Sequence, residues 1–414
     1  MICEYLNNEL HIENVSLASI AREYGTPVYV YSKGKITDNF SSYQRAFGDR
    51  DHAICYAVKA NSNIAILKLL HDLGAGFDVV SIGELERVHA AGAASSETVF
   101  AGVGKMAREI ERALALNIGC FNVESVDELS LIDQIAGKLG SRARIAVRVN
   151  PDVDPKTHPY ISTGLNENKF GIPMPNALEV YLKAQKMAHI EIAGVACHIG
   201  SQLTEIAPFV AAAERVQGLI NQLDEREIKI NQVDIGGGLG ISYGQENPPA
   251  IEEYVTALCK TIDPSLRIAI EPGRSIVGDA GLLLTQVLYM KQTPAKHFAI
   301  VDASMSELIR PALYQAHHPV MPVSLYPSRE TQLVDIVGPV CETADFLAKG
   351  RELALGADDF IAIMDAGAYS AVMASSYNTR PKPAELIVSA DQSYLIRERD
   401  SIESLIANER IVDF

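Results

Sequence analysis

The run "RIAIEP" (residues 267–272) is a short, β-rich stretch closed by a glutamate and a proline, and it is the eighth of its kind in the chain. Read backwards, the same pattern stands at "QVDIGG" (232–237), "IAGVACHI" (192–199), "RIAVRV" (144–149), "CFNV" (120–123), "TVFAG" (98–102), "GFDVV" (76–80) and "AICYAV" (53–58). Between these runs lie segments such as "NIAILKLLHDLG" and "SVDELSLIDQIAGKLG", whose apolar residues recur at three and four positions, as on one face of a helix. In the second, Ser125 stands three places before Glu128, a capping-box spacing, and Gly140 closes the segment. Strands that each lead into a helix or crossover pair in parallel. A doubly wound open sheet competes with a closed barrel on this pattern, and the count of eight favours an α/β fold of the (β/α)8 type.

Beyond about residue 276 the rhythm changes. "GLLLTQVLYMKQT", "HFAIVDAS", "TQLVDIVGP" and "FIAIMDAG" are strand-like and turn-bounded, with little helical period between them. They read as a mainly antiparallel β domain. The organisation expected is an N-terminal segment (1–30) contributing to the β domain, a barrel (31–275) and the C-terminal β domain (276–414), with "PVYVYS" as the strand supplied from the N-terminal side. Two long segments, 150–175 and 311–330, carry no clear period. Loops of such length in compact domains tend to be functional, and 150–175 is the candidate for closure over a substrate.

Composition narrows the function classes. Of 414 residues, 48% are hydrophobic, which excludes global disorder. The formal charge of −16 argues against a nucleic-acid or anionic-membrane surface. No apolar run approaches 18 residues, so no membrane span is expected, and "MICEYLNNELHIENVS" has neither the basic nor the apolar region of a secretory signal. The six cysteines lie at least 52 positions apart. That spacing fits neither a metal knuckle nor a small disulfide framework; no metal is expected, and a reducing cytoplasm is.

In a barrel of this type the chemistry lies at the C-terminal ends of the strands. Lys59 closes the first strand, His198 the sixth, "DIGGGLG" (234–240) follows the seventh, and "EPGR" (271–274) closes the eighth. A lone strand-end lysine snorkels to solvent; four such groups on one rim are a different matter. Gly236, Gly237 and Gly238 bare the backbone so that successive N–H groups can approach an anion, in the loop where barrels often hold phosphate. A phosphate site beside a lysine suggests pyridoxal phosphate in a Schiff base with Lys59, with His198 stacked on its ring. Glu271 then keeps the ring nitrogen protonated, which favours chemistry that makes a full carbanion, such as decarboxylation.

The motifs "YAVKAN", "FDVVSIGE", "HIGSQ", "DIGGGLGI", "EPGRSIVG", "LIRPALY", "VGPVCETAD" and "DAGAYSAVMASSYNTRPKPAE", together with "NPDVDPKTHPYISTGLNENKFGI", resemble the diaminopimelate decarboxylases from about residue 25 to 390. The resemblance implies a fold-type III pyridoxal-phosphate enzyme with an alanine-racemase-like barrel, working as a homodimer with shared active sites. It implies that meso-2,6-diaminopimelate is decarboxylated at its D-centre to L-lysine, the last step of lysine biosynthesis. By motif, Lys59 carries the Schiff base and His198 stacks on the ring. Ser201, Gly237, Gly238 and Gly273 bind the cofactor, as do Glu271, Arg274 and Tyr369. Arg274, Arg310 and Tyr314 hold the distal carboxylate, with Tyr369 beside the substrate. From the partner, Cys341 donates the proton and Glu342 binds the distal amino group. One departure stands out: after "VMAS" the family reads like "NYN", whereas this chain has Ser376, Tyr377 and Asn378. The alternative is a sister decarboxylase of the same fold, acting on another basic amino acid or on carboxynorspermidine. The paired Arg274 and Arg310 disfavour ornithine and arginine, because forked guanidinium donors suit a carboxylate.

Overall fold

The computed structural model describes residues 2–154, 169–244 and 246–414; the centre of the 150–175 segment lies outside them. The chain divides into two compact units, one of Met1–Thr37, Tyr243–Gln245 and Ile276–Phe414, the other of Asp38–Ser242 and Glu246–Ser275.

The second unit is the barrel. Its strands are His52–Ala57, Gly76–Val79, Thr98–Phe100, Cys120–Val123, Ala143–Asn150, Ile190–Cys197, Gln232–Asp234 and Arg267–Ile270. Each pairs in parallel with the next, and the eighth returns to the first through Ile268 opposite His52. Closure leaves no ladder edge open to solvent. All eight runs read as strands in the sequence are therefore staves of one barrel.

Intervening helices lie where the period of three and four placed them. Val126–Lys138 buries Leu129, Ile132 and Ile135, each burial favourable by about 1.5–3 kcal/mol. The Ser125 hydroxyl accepts from Glu128 N at 3.2 Å, so half of the expected capping box forms. The other half does not. Glu128 instead pairs with the buried Lys105 at 2.8 Å and accepts from Glu124 N at 3.3 Å. A buried ammonium is a stronger partner than one helix-end amide, and it wins.

The first unit is built on one mixed sheet. Its path runs Phe346–Leu353, Gln332–Val337, His297–Val301, Gly281–Gln292, Val28–Ser32, Ala384–Ser389 and Gln392–Arg397, with Phe360–Ile363 also pairing Gly281–Gln292 and Val320–Pro322. Most pairings are antiparallel; the exceptions are Val28–Ser32 with Ala384–Ser389 and His297–Val301 with Gln332–Val337. A small three-stranded sheet, Cys3–Leu6, Glu9–Ile12 and Val15–Ser16, precedes it. Leu10, Ile12, Val28, Val30, Leu282, Leu284 and Leu386 share one fully buried core. Val28–Ser32, every residue of which is buried, lies between strands drawn from the far end of the chain.

Candidate active site

The first barrel strand ends at Ala57, whose N–H donates to the Pro272 carbonyl at 3.1 Å, and the chain then makes a single 3-10 turn, Val58–Ala60. That turn turns Lys59 onto the rim. Its ammonium pairs with Asp78, whose carboxylate is fully buried in the second strand. The lysine can sit there because an acid one strand away compensates its charge. Asp78 Oδ1 is buried with no hydrogen-bond partner among the described residues.

Opposite lies an acidic cluster. Glu271 follows the eighth strand and is buried, its N–H donating to the Gly236 carbonyl at 2.9 Å. Asn122 Nδ2, from the fourth strand, donates to Glu271 Oε1 at 3.3 Å and to Asp234 Oδ2 at 3.2 Å. Asp234 Oδ1 accepts from Gly236 N at 2.9 Å. Burial drives the Glu271 carboxyl well above its ordinary range, with Asp234 and Asp78 adding to the rise. Burial also raises Asp234, against the hydrogen bond it receives from Glu271. Burial and the neighbouring carboxylates thus favour the neutral form of Glu271 in the cofactor-free barrel.

His198 follows the sixth strand, half-buried beside the seventh-strand loop. Burial, then Arg148 and Lys59, holds its imidazole well below the usual value, so the ring is neutral. A flat neutral ring is suited to stacking rather than to ion pairing. Arg148 is itself paired with Glu124 at 2.7 Å.

The glycines of the loop are set by close approach. A Cβ on Gly237 would overlap the Glu271 carbonyl, and one on Gly238, which has φ +121°, would lie 2.5 Å from the Gly200 carbonyl. Gly237 is thus pressed against the eighth-strand end, while Gly236 and Gly238 close on the segment that follows the sixth strand. Gly237→Ala is expected to destabilise the protein by about 1–3 kcal/mol through overpacking and to weaken pyridoxal-phosphate binding. A thermal melt and a cofactor titration check this, and unchanged values in both would contradict the close packing. Gly273 does the same for the lysine turn, since a Cβ there would stand 2.8 Å from Ala60 Cβ. The buried Arg274 donates from Nη2 to Ser201 Oγ at 3.0 Å.

The barrel thus gathers Lys59, His198, Ser201, Gly237, Gly238, Glu271, Gly273 and Arg274 on its C-terminal rim. These fit pyridoxal phosphate: an amine held by a buried acid, a bare backbone loop, a neutral ring and a buried carboxyl whose proton a pyridine nitrogen would take up. Asp78, Asn122, Asp234 and Arg148 belong to this site and were missed. For Asp78 and Asn122 the signal was present, because each is a polar residue inside an otherwise apolar strand, where burial demands a partner.

The remaining residues lie in the other unit. Arg310 is buried at the start of the single turn Arg310–Tyr314, its guanidinium 4.8 Å from the Tyr243 ring centroid. Tyr314 ends that turn, half-buried. Tyr369 is half-buried with φ +54°, a conformation that non-glycine residues seldom adopt. Cys341 and Glu342 are exposed, and Glu342 Oε1 accepts from Tyr377 Oη at 2.7 Å. The tyrosine of the departing "SSYN" stretch thus holds the very glutamate that motif matching singles out.

Residues 33–278 match the family described as pyridoxal-dependent decarboxylase, pyridoxal binding domain. Over its whole length the chain is similar to the diaminopimelate decarboxylases of Pseudomonas fluorescens, at 50% identity covering 99% of this chain and 98% of that one, and of Haemophilus influenzae, at 49% covering 99% of each. The chain belongs to the diaminopimelate decarboxylase family. The family's fold agrees: the diaminopimelate decarboxylase of Helicobacter pylori, solved in complex with L-lysine, superposes with a TM-score of 0.91 at 46% identity over 94% of this chain and 98% of that one. As in that pyridoxal-phosphate-dependent family, the barrel is the cofactor domain. Among the described residues no helix is long and apolar enough to cross a membrane, and no cluster of ligating side chains suits a metal ion.

Proposed function

We propose that this chain removes the D-centre carboxylate of meso-2,6-diaminopimelate, releasing carbon dioxide and L-lysine. The observation that carries the reading is the buried Glu271 in the rim that holds Lys59, in a chain about half identical to curated members of the family. Pyridoxal phosphate, when bound, supplies an electron sink for the electron pair left by the departing carboxylate. Lys59, His198, Ser201, Gly237, Gly238, Glu271, Gly273, Arg274 and Tyr369 are the residues proposed to hold it. With the cofactor bound, Glu271 would stand as a carboxylate at the ring nitrogen and keep that nitrogen protonated. Arg274, Arg310 and Tyr314 grip the distal carboxylate, so that the distal L-centre sets specificity and the D-centre is positioned for bond breaking. The Cα–carboxylate bond breaks, and the Cys341 thiol delivers its proton to that carbon and recovers one from solvent.

Cys341 and Glu342 are assigned to the partner's site in a homodimer. The support is exposure: of the six free cysteines Cys341 alone is exposed, on a loop that also exposes Glu342. Six free cysteines also fit a cytoplasmic setting.

Carbon dioxide release with added pyridoxal phosphate tests the reaction, with meso-diaminopimelate set beside LL-diaminopimelate, ornithine and arginine. Release from the meso isomer alone supports the reading; release from ornithine or arginine overturns the role of the two arginines. Cys341→Ala is expected to keep the cofactor absorbance and to lose about 10²–10⁴-fold in kcat. Mixed in equal amounts with Lys59→Ala and allowed to exchange subunits, it should regain about a quarter of wild-type activity, since half the dimers then hold one intact site. No regain would place Cys341 in its own subunit's site.

A further inference from the structure

His318 is completely buried and lies in none of the motifs discussed above. Its Nδ1 stands 2.8 Å from the Met364 carbonyl, and its Nε2 stands 3.2 Å from Arg310 Nε. The two contacts fix the chemistry of the ring. A carbonyl only accepts, so Nδ1 carries the hydrogen; an arginine Nε–H only donates, so Nε2 must offer its lone pair. His318 is thus a neutral acceptor wedged between the main chain and the guanidinium. Its ring meets the Tyr243 ring edge-on, 5.3 Å between centroids, while Arg310 lies over the face of that same ring. Behind it, Arg351 Nη2 donates to the His318 carbonyl at 3.2 Å and contacts His317 Nδ1 at 3.0 Å, which pins the residue's backbone.

We infer that His318 is the positioning residue for Arg310, and thereby sets the preference for a substrate with a carboxylate on its distal carbon. The inference rests on the proposed role of Arg310. A guanidinium can meet a carboxylate side-on through Nε and one Nη, or end-on through both Nη groups. His318 occupies Nε, so the carboxylate is met end-on. Tyr243 fixes the plane of the fork by stacking, and His318 fixes its rotation about the long axis. Without the imidazole the fork turns about its terminal bonds, and the two N–H groups no longer arrive in parallel.

L-Lysine and cadaverine separate this role from a general structural one, because they differ only by the carboxylate in question. Both are measured as competitive inhibitors of carbon dioxide release by the holoenzyme. His318→Phe keeps the ring and removes the acceptor; it is expected to weaken L-lysine roughly ten- to a hundredfold, the loss of one charge-assisted hydrogen bond, and to leave cadaverine within about twofold. His318→Gln keeps an acceptor near the Nε2 position and is expected to lose only severalfold for L-lysine. In an Arg310→Lys background neither substitution should add a further loss. If the phenylalanine variant does not fold, the glutamine variant carries the same cycle. An equal loss for cadaverine, or a loss that persists in the Arg310→Lys background, overturns the inference. An Arg310→Lys enzyme with unaltered L-lysine affinity would instead overturn the assigned role of Arg310 itself.

Discussion

Lys59→Ala is expected to abolish the visible absorbance of bound pyridoxal phosphate and to lower kcat/KM at least a thousandfold, on the order of losses seen when a covalent group is removed. The size follows from placement. Lys59 is the amine that the rim presents beside the glycine loop and Glu271, and it is held there by a buried acid. The same substitution leaves Asp78 buried and uncompensated, so a fall in stability alone would be uninformative. Lys59→Arg removes that ambiguity. It keeps a cation for Asp78 and should melt close to the wild type, yet it cannot carry the cofactor and should be as inactive as the alanine variant. Retained turnover in either variant would return Lys59 to the status of an ordinary strand-end lysine.

Glu271→Gln is expected to move two measurements in opposite directions. In the cofactor-free protein the Glu271 carboxyl sits well above its ordinary range because of burial and the neighbouring Asp234 and Asp78. The folded chain then holds a proton that the unfolded chain has released. Between the ordinary carboxyl value and the raised one, stability therefore falls as pH rises. Glutamine has no proton to lose and removes that slope, so the cofactor-free variant should melt higher than the wild type at neutral and alkaline pH, by about 2–4 °C per kcal/mol recovered. Turnover should fall by about 10²-fold or more, the scale of losing one charge aimed at a developing charge. A variant that melts lower and turns over normally would remove Glu271 from the ring-nitrogen role. The result expected is a stability–activity exchange at one atom pair: the carboxyl is costly to the empty barrel and useful to the loaded one.

The barrel was legible because its signals are local and repeat. Eight apolar runs, spaced by helical periods, leave few other folds, and Lys59, His198, the glycine loop and Glu271 follow from lying at the strand ends. The polar floor of the site was less legible. Asp78 and Asn122 each interrupt an apolar strand, and Asp234 ends a short one; none of these tells which neighbour satisfies it, whereas closure of the barrel does. In the β unit, Val320–Pro322, Phe346–Leu353, Ala384–Ser389 and Gln392–Arg397 escaped notice. Gln392–Arg397 borders only one strand and sets its three apolar residues side by side, and Phe346–Leu353 carries "AKGRE" in its middle, so neither shows a clean alternation. The link from His318 to Arg310 spans only eight residues, yet it depends on a turn whose path no periodicity reports.

The placement of Val28–Ser32 inside a sheet otherwise made late in the chain has a consequence for synthesis. On the ribosome this strand emerges early, but its neighbour Gly281–Gln292 follows about 250 residues later, or about 12–50 s at ordinary elongation rates. Its other neighbour, Ala384–Ser389, comes later still. The barrel residues are all translated within that interval. Five consecutive buried residues, "VYVYS", thus wait as an unpaired apolar β-strand while the intervening barrel is made. The nascent chain, more than the finished enzyme, is where this protein is exposed to aggregation and where a chaperone would find its grip.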